Sequence, residues 1–553
     1  MPDFLRILSP KIYDPANRID GVVNDIWVQD GKIVPPPSNH QIGSVRTIDA
    51  NGLVAMPGGV DMHCHIAGSK VNAARKLRVD DKDSQPPILS TPLTFSGTGG
   101  SVPSTFATAY RYAAMGYTTA FDAAVPPLLA RQAHFELEDT PCIDKGFYTL
   151  VGNNVMLLEA IAKRDPVQVR RILSWLLDAT CGYAPKIVNP GGVENWKQLG
   201  TDIRSLDEKI GGFDTSPRQV LQSITNAANE LKLPHPVHIH TNHLGLPGNW
   251  NITLETMKSL NGLKAHLAHI QFHSYDGGDA QEDSFGSKVQ PLADYINQHP
   301  ELSVDVGQVL FGDTTSMTGD GPVGYFLSQM YRERWVSADT EMEAGCGIVP
   351  IKYRNKSLIH AWQWVIGLEW YLLVNDPWQV VMSTDHPNGG SFQAYPQIIR
   401  LLMDKSYRDE MFSQLPQSIQ ATSVLKDLKR EYSLSEIAII TRSGPAKLLG
   451  LKQKGHLGVG ADADITLYLP NSDYQQMFAI PRFVIKAGHV VIDDCEIRSV
   501  PQGDTIRCQM QSNHTVEPEI DSWIRRYYSV EPENFRVNPN QILQLNSVQC
   551  PPE

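Results

Sequence analysis

Two histidines separated by a single residue are the first side chains in this sequence that could do chemistry. His63 and His65 close the stretch PGGVDMHCH at 57–65, which follows the apolar run 53–56. Residues two apart on a strand project to the same side, so both imidazoles face one space. Zinc is commonly held by imidazole nitrogens, with one position left open for water when the site is catalytic. The spacing predicts half of a metal site; the alternative is one loop-capping and one core histidine.

Four later segments add side chains that could bind metal or move a proton: Lys186, His238 with His240, His269, and Asp385. His238 and His240 share one face of a strand, so one could bind metal while the other contacts substrate. Asp385 follows a buried-looking strand, where an unpaired carboxylate is costly. From spacing alone Lys186 is a surface or salt-bridge lysine. After reaction with carbon dioxide, however, its carbamate would have two oxygens that can bridge two metals.

These side chains meet only if the fold brings distant strand ends together. Strand-like runs alternate with helical stretches through the middle of the chain, which favours an α/β fold, a TIM-like (β/α)8 barrel whose strands all end at one rim. A doubly wound sheet is the alternative, but no Gly-x-Gly-x-x-Gly motif opens a helix. We predict helices at 104–116, 154–178 and 217–232, the last capped by Ser216.

Both ends of the chain have the texture of short strands joined by tight turns. Asp30-Gly31 separates two apolar-rich runs, as in a hairpin, and 483–492 suggests a second one. We therefore expect a small β-sandwich domain built from 1–56 and 451–500. The barrel would occupy 57–450, and 501–553 would form a C-terminal extension.

Two stretches rich in small and polar residues, 84–103 and 311–325, are predicted to be long loops. Long loops in a compact domain are often lids or substrate-binding loops. Simple surface insertion is the alternative for each.

The composition narrows the class of protein. A chain of 553 residues exceeds one simple core, and 41% hydrophobic with 20% charged residues is typical of a globular protein. The net charge of −12 predicts no nucleic-acid partner. No apolar run approaches the span of a bilayer, and no secretion signal precedes the first strand, so we expect no membrane association. Seven scattered cysteines without a Cys-x-x-Cys pair argue against a disulfide framework or an iron–sulfur cluster and indicate a cytoplasmic protein.

The order of these motifs resembles the amidohydrolase superfamily. Residues 56–65 resemble its opening motif, and 458–464 resemble its return to the small β domain. A narrower resemblance is to the A component of formylmethanofuran dehydrogenase and, most closely, to the A component of the bacterial formyltransferase/hydrolase complex. The strings that carry it are 186–192, 238–245, 268–275 and 384–390.

The resemblance implies a site with two zinc ions bridged by N6-carboxylysine at position 186. One zinc would be bound by the first two histidines with Asp385, and the second by one histidine from each of two later segments. The implied ligands are His63, His65, Lys186, His238, His269 and Asp385. The side chains that could bind metal or substrate are His240, Asn242, His243, His273 and Asn388. Related enzymes have a ligand at the first residue of a His-x-Glu pair, which favours His238, but His240 in second place leaves the alternative open.

The resemblance also implies an activity: hydrolysis of N-formylmethanofuran, or a bacterial analogue, to formate and free methanofuran in tetrahydromethanopterin-linked one-carbon oxidation. Asp385 would accept the proton of the attacking water and pass it to the leaving amine. The chain would be the hydrolase component of a formyltransferase/hydrolase complex, bound to its other subunits. The alternatives are the reverse condensation of formate with methanofuran in a formylmethanofuran dehydrogenase, a hydantoinase-like cyclic amidohydrolase, and a metal-free assembly scaffold.

Overall fold

The computed structural model describes residues 4–38, 45–75, 105–277, 285–338, 346–510 and 517–550. The predicted loop 84–103 lies outside these residues. Within them, no helix is both long and apolar enough to cross a membrane.

The strands and helices of the described residues are numbered in chain order. The strands are β1 (Phe4–Leu8), β2 (Lys11–Asp14), β3 (Ile19–Val23), β4 (Ile26–Gln29), β5 (Lys32–Val34), β6 (Val45–Asp49), β7 (Val54–Pro57), β8 (Gly59–Cys64), β9 (Tyr117–Val125), β10 (Asp144–Leu150), β11 (Ala184–Val188), β12 (Val237–His240), β13 (Ala265–Leu267), β14 (Tyr275–Asp276), β15 (Gly286–Ser287), β16 (Leu302–Asp305), β17 (Gly312–Thr318), β18 (Val336–Ala338), β19 (Cys346–Tyr353), β20 (Val380–Val381), β21 (Ile465–Tyr468), β22 (Phe483–Lys486), β23 (His489–Asp493), β24 (Glu496–Ile497), β25 (Thr505–Gln509) and β26 (Leu545–Gln549). The α-helices are α1 (Ser69–Arg75), α2 (Thr105–Ala114), α3 (Ala130–Glu138), α4 (Val155–Ala162), α5 (Pro166–Ala179), α6 (Gly192–Leu199), α7 (Pro217–Glu230), α8 (Trp250–Ser259), α9 (Val289–Gln298), α10 (Gly321–Tyr331), α11 (Leu358–Leu373), α12 (Tyr395–Met403), α13 (Lys405–Ser413), α14 (Gln417–Thr422), α15 (Leu434–Ala438), α16 (Gly444–Leu448), α17 (Tyr474–Ala479) and α18 (Glu517–Tyr527).

Eight parallel strands form the barrel that carries the candidate site. They are paired in the order β8-β9-β10-β11-β12-β13-β16-β20. Cys64 forms a parallel bridge with His386, and the backbone N–H of His65 donates to the carbonyl of His386 at 2.8 Å, which closes the ring. The strands are buried on both faces, as parallel strands covered by helices must be. The predicted α/β barrel is confirmed.

A smaller unit takes its strands from both ends of the chain. One sheet has the order β5-β4-β1-β6, and the other has the order β24-β23-β22-β21-β7-β2-β3. Apolar side chains that include Ile7, Val28 and Ile465 form the core between them. The predicted hairpin turns both form, and Asp30 (φ 50°) and Gly31 (φ 75°) take the left-handed conformation that such a turn needs.

The C-terminal residues return to the barrel. Lys145 of β10 pairs with Thr505 of β25, and β26 runs parallel to β25 along its whole length. We keep the domain limits 1–56, 57–450, 451–500 and 501–553 as a proposal.

The helix predicted over 154–178 is wrong as one continuous element. Helix α4 ends at Ala162, and α5 begins at Pro166. Proline has no N–H and its ring clashes with the preceding turn, so it starts a helix more readily than it continues one. The side chain of Asp165 then caps α5 by accepting the N–H of Gln168 at 2.9 Å. Helix α7 begins at Pro217 under a capping box from Ser216, as predicted.

The loop predicted over 311–325 is also wrong. Residues Gly312–Thr318 form β17 in an antiparallel sheet of order β17-β19-β18, and Gly321 begins α10. The pairing with β19 satisfies the backbone of a stretch whose small and polar residues suggested a loop. This insertion follows β16 and leans over the barrel rim.

Candidate metal centre

One oxygen of Asp385 stands between two imidazoles at the barrel rim. Its Oδ1 lies 3.0 Å from Nε2 of His63 and 3.2 Å from Nε2 of His65, but neither contact has hydrogen-bond geometry. His63 lies in β8, and the chain divides before it at Gly58, so that β7 belongs to the sandwich and β8 to the barrel. Three such atoms that converge without bonding to one another suit a shared cation.

Lys186 projects from the middle of β11 and is 2% exposed. Its Nζ has no hydrogen-bond partner among the described residues. Burial lowers the pKa of its ammonium group to about 7, so a neutral amine is well populated at neutral pH. The interpretation as a surface or salt-bridge lysine is therefore wrong. An unpaired amine in this position is costly unless something else satisfies it.

Three further imidazoles form a cluster beside this lysine. His240, His269 and His273 each offer one ring nitrogen, and these nitrogens lie within 4.8 Å of one another. Within the part of the chain that the structure describes, no hydrogen-bond partner faces Nε2 of His240, Nδ1 of His269 or Nε2 of His273. Burial lowers the pKa of all three rings well below the ordinary value, so they are neutral and have lone pairs available for a metal.

His238 lies deeper in the barrel than His240. Its Nε2 is 2.9 Å from Nδ1 of His63, and its Nδ1 is 3.1 Å from Nε2 of His235. Both of its ring nitrogens are therefore engaged, whereas His240 lines the cavity above. Nε2 of His240 thus faces the cavity without a hydrogen-bond partner among the described residues, whereas both ring nitrogens of the predicted ligand His238 contact other imidazoles.

Sequence reasoning missed Asp305, the last residue of β16. Its Oδ2 lies 2.9 Å from Nδ1 of His63 and 3.1 Å from Nε2 of His266, while its Oδ1 accepts the backbone N–H of His269 at 3.0 Å and the hydroxyl of Ser383 at 2.6 Å. Burial acts to raise its pKa, but the contacts of its carboxylate with His63, His238 and His266 hold that pKa well below its usual range. An aspartate at the end of a buried strand was the available signal.

The remaining predicted residues fall in two places. Asn388 lines the cavity, and its Oδ1 accepts the backbone N–H of Met317 at 2.7 Å, which ties the insertion to the loop that carries Asp385. Asn242 donates to Oδ1 of Asn189 at 2.6 Å, outside the cavity. His243 also lies outside it and contacts a backbone carbonyl at 2.7 Å through Nε2.

These groups open into a cavity of about 340 Å³. Most of its wall is apolar, and its polar base is formed by His63, His65, Lys186, His240, His269 and Asp385. The insertion and α10 supply much of that wall, including Met317, Val323, Phe326, Met330 and Tyr353. A few polar groups at the base of an apolar cavity are typical of a site for a small organic molecule.

Comparison with known proteins places the whole architecture. The profile of the family described as the amidohydrolase family matches residues 46–492. The chain belongs to the amidohydrolase family. This amidohydrolase is 43% identical to Protein FwdA of Methanocaldococcus jannaschii over 550 residues, which cover 95% of each chain. It is 36% identical to the A component of the formyltransferase/hydrolase complex Fhc of Methylorubrum extorquens over 542 residues, 96% of each chain.

A solved structure supports the same assignment. The amidohydrolase matches a chain in the crystal structure of the formyltransferase/hydrolase complex FhcABCD from Methylorubrum extorquens in complex with methylofuran. The TM-score is 0.93 at 34% identity, covering 99% of this chain and 100% of that one. The predicted resemblance is confirmed. Because FwdA and the Fhc component both match over nearly their full length, the similarity covers the sandwich, the barrel and the C-terminal strands together.

Proposed function

We propose that this amidohydrolase hydrolyses the formyl amide of a methanofuran-type carrier to formate and the free amine. One observation carries the proposal: in a chain similar to a component of a formyltransferase/hydrolase complex, an amine, a carboxylate and several imidazoles converge unpartnered at the base of one apolar cavity. The solved relative was crystallised with methylofuran, and we extend that carrier class to this chain.

The donor set fits a pair of zinc ions. His63, His65 and Asp385 would hold the first, and the second would be held by His240 and His269, with His273 as a further imidazole. Imidazole nitrogens and carboxylate oxygens are ordinary zinc ligands. Bound there, zinc lowers the pKa of a water molecule to about 7 and polarises a carbonyl oxygen.

Lys186 would join the two positions as N6-carboxylysine. Its neutral amine can attack carbon dioxide; the new C–N bond forms as one proton leaves, and a carbamate with two oxygens results. Burial keeps the pKa of the amine near 7, so the reactive form is present at neutral pH. The modification would also replace an unpartnered Nζ by an anion that two cations stabilise.

Asp385 is the only carboxylate among the described residues that line the cavity. Burial alone would raise its pKa, but His269 and His63 hold that pKa well below the usual range, so the group is ionised. We assign to it the transfer of a proton from the attacking water to the leaving amine. The apolar wall keeps bulk water away from this step.

The same site would serve both directions of the reaction. Condensation of formate with the amine passes through the same barrier as hydrolysis, so the direction follows from the formate concentration and from partner subunits. We propose that the chain works within such a complex and hands the free carrier to a formyltransferase.

The test is formate release by the tagged amidohydrolase, purified from its source organism together with the proteins that remain bound. N-furfurylformamide serves as the probe, and dihydrouracil and hydantoin serve as cyclic controls. We expect formate from the probe, no ring opening, and two metals per chain. Ring opening without formate release would instead identify a cyclic amidohydrolase, and two bound metals without either activity would contradict hydrolysis altogether.

A further inference from the structure

Beneath the proposed metal pair lies a chain of hydrogen bonds that sequence reasoning did not assign. It runs from Nδ1 of His63 to Nε2 of His238 at 2.9 Å, and from Nδ1 of His238 to Nε2 of His235 at 3.1 Å. It ends where Nδ1 of His235 meets the carbonyl of Leu448 at 2.8 Å. All three rings are at most 1% exposed. The chain therefore links a proposed ligand to the backbone at the end of α16.

The direction of donation along this chain is determined at its far end. A carbonyl oxygen only accepts, so the proton of His235 is on Nδ1. Burial lowers the pKa of His235 to about 3, so this neutral ring has only that one proton. Nε2 of His235 must then accept from Nδ1 of His238.

The same argument applies to the next link. A carboxylate oxygen only accepts, and Oδ2 of Asp305 lies 2.9 Å from Nδ1 of His63, so that Nδ1 has a proton; Nε2 of His238, 2.9 Å from the same atom, accepts from it. That donor is therefore shared between the two acceptors. A neutral His63 with its proton on Nδ1 has its lone pair on Nε2, and Nε2 is the atom that faces Asp385 at 3.0 Å.

We propose that His235 and His238 are positioning residues whose hydrogen-bond chain holds His63 in the tautomer that presents its Nε2 lone pair to the metal. His238 is then not a ligand, because its only ring-nitrogen lone pair accepts a hydrogen bond from Nδ1–H of His63. Outer partners of this kind fix both the tautomer and the orientation of a ligating ring. The inference rests on the proposed two-metal site and adds to it the residues that make its first ligand competent.

Two substitutions on one strand separate a ligand from a positioning residue. H238Q keeps an amide that can accept from His63 and donate to His235, whereas H240Q removes the imidazole that lines the cavity. We expect about two zinc ions per chain in H238Q and about one in H240Q, measured by elemental analysis after gel filtration. X-ray absorption should show no loss of imidazole per zinc in H238Q. One zinc in H238Q together with two in H240Q would overturn the proposal.

The far end of the chain gives a second test. H235F removes the group that accepts the hydrogen bond from Nδ1 of His238. The proton of His238 can then move to Nε2, where it would face Nδ1–H of His63 and disfavour the proposed tautomer of His63. We expect H235F to bind zinc about 10- to 100-fold more weakly in competition with a chelator, and H235Q to restore the affinity through its amide oxygen. A zinc affinity of H235F equal to that of the wild type would overturn the proposed role of the hydrogen-bond chain.

A matched control measures the general effect of replacing a buried histidine by glutamine. His134 is also buried, and its Nε2 contacts the carbonyl of Thr180 at 2.9 Å, away from the metal centre. H134Q should bind zinc as the wild type does. All of these experiments measure the content or the affinity of bound zinc, and none of them depends on turnover. If the zinc measurements give the expected results but the wild type releases no formate, the proposed function is refuted and the proposed role of the hydrogen-bond chain is not.

Discussion

The barrel buries lysine and aspartate side chains at both of its ends and pairs them at only one. At the rim, none of the described residues is a hydrogen-bond partner of Nζ of Lys186. At the opposite end, where β10 begins, Lys486 lies 2.8 Å from Asp144 and 3.0 Å from Asp464, and Lys454 contacts the same two carboxylates. The second group ties the barrel to the sandwich. Its lysine charges are neutralised, whereas the lysine at the rim is left available for chemistry.

Proximity alone would not have distinguished these two regions. Asp144, Asp462 and Asp464 also lie close enough together to hold a metal ion. Two ammonium groups already occupy that position, and Asp144 holds the pKa of Lys454 well above its usual range against the effect of burial. Burial instead lowers the pKa of Lys186 to about 7. The pairing of buried charges, and not their number, marks the functional end.

Replacing Asp385 should have the largest effect on turnover, and the structural consequences should be confined to the rim. D385N removes the proposed proton carrier but keeps an oxygen that can face a metal, so we expect kcat to fall by about 10²- to 10⁴-fold. Formate release and metal content, measured on the same sample, test this. Turnover near that of the wild type would remove Asp385 from proton transfer.

The comparison is sharpest between two lysine-to-methionine variants. K454M leaves buried carboxylates short of a cation, so the free energy of unfolding should fall by about 3–5 kcal/mol with zinc binding intact. K186M replaces an unpartnered amine by an apolar group of similar size, so it should abolish binding of the metal pair without destabilising the metal-free protein. Urea unfolding of both metal-free variants measures the difference. Equal losses of stability would contradict the distinction between the two ends.

The two lysines should also respond differently to pH. The native pKa of Lys186 is about 7, against an ordinary value of 10.5, so between these values the unfolded chain binds more protons than the native one. Stability of the metal-free protein should therefore rise with pH across that window, by the order of a few kcal/mol. K186M should lose this rise when unfolding is followed at pH 7, 8.5 and 10. A rise of the same size in both proteins would assign it to other groups.

The smallest effect is expected at the margin of the paired cluster. Asp462 is partly exposed and contacts Lys32 as well as Lys454. D462N should lower the free energy of unfolding by only about 1 kcal/mol or less, because solvent screens such a pair and Lys454 keeps two other carboxylates. Urea unfolding beside K454M tests it, and a loss as large as that of K454M would show that the cluster acts as one unit.

The sequence predicted the barrel and most of the side chains that converge at its rim. His63, His65, Lys186, His269 and Asp385 all reach the cavity. The choice between His238 and His240 could not be made, because both lie on one strand face and only the depth along the strand separates them. That depth depends on the register with neighbouring strands, which is a tertiary property.

Other features were hidden for different reasons. Asp305 is a single acidic residue in a strand, and its partners come from three other segments of the chain, so no local pattern indicates its role. The break at Asp165-Pro166 was readable from proline chemistry, but the apolar spacing on both sides suggested one helix. Strand β17 resembled a loop because its pairing with β19, and not its composition, stabilises it.

The sandwich has a consequence for how the polypeptide comes off the ribosome. Met56 of β7 pairs with Thr466 of β21, so the sheet lacks its central partner until nearly all of the molecule has been synthesised. Contacts between such distant segments form slowly, since a long loop must close before they are rewarded. We expect the edge of β7 to stay unpaired during translation until β21 has been synthesised. Products truncated before β21 should leave this edge exposed and should therefore aggregate.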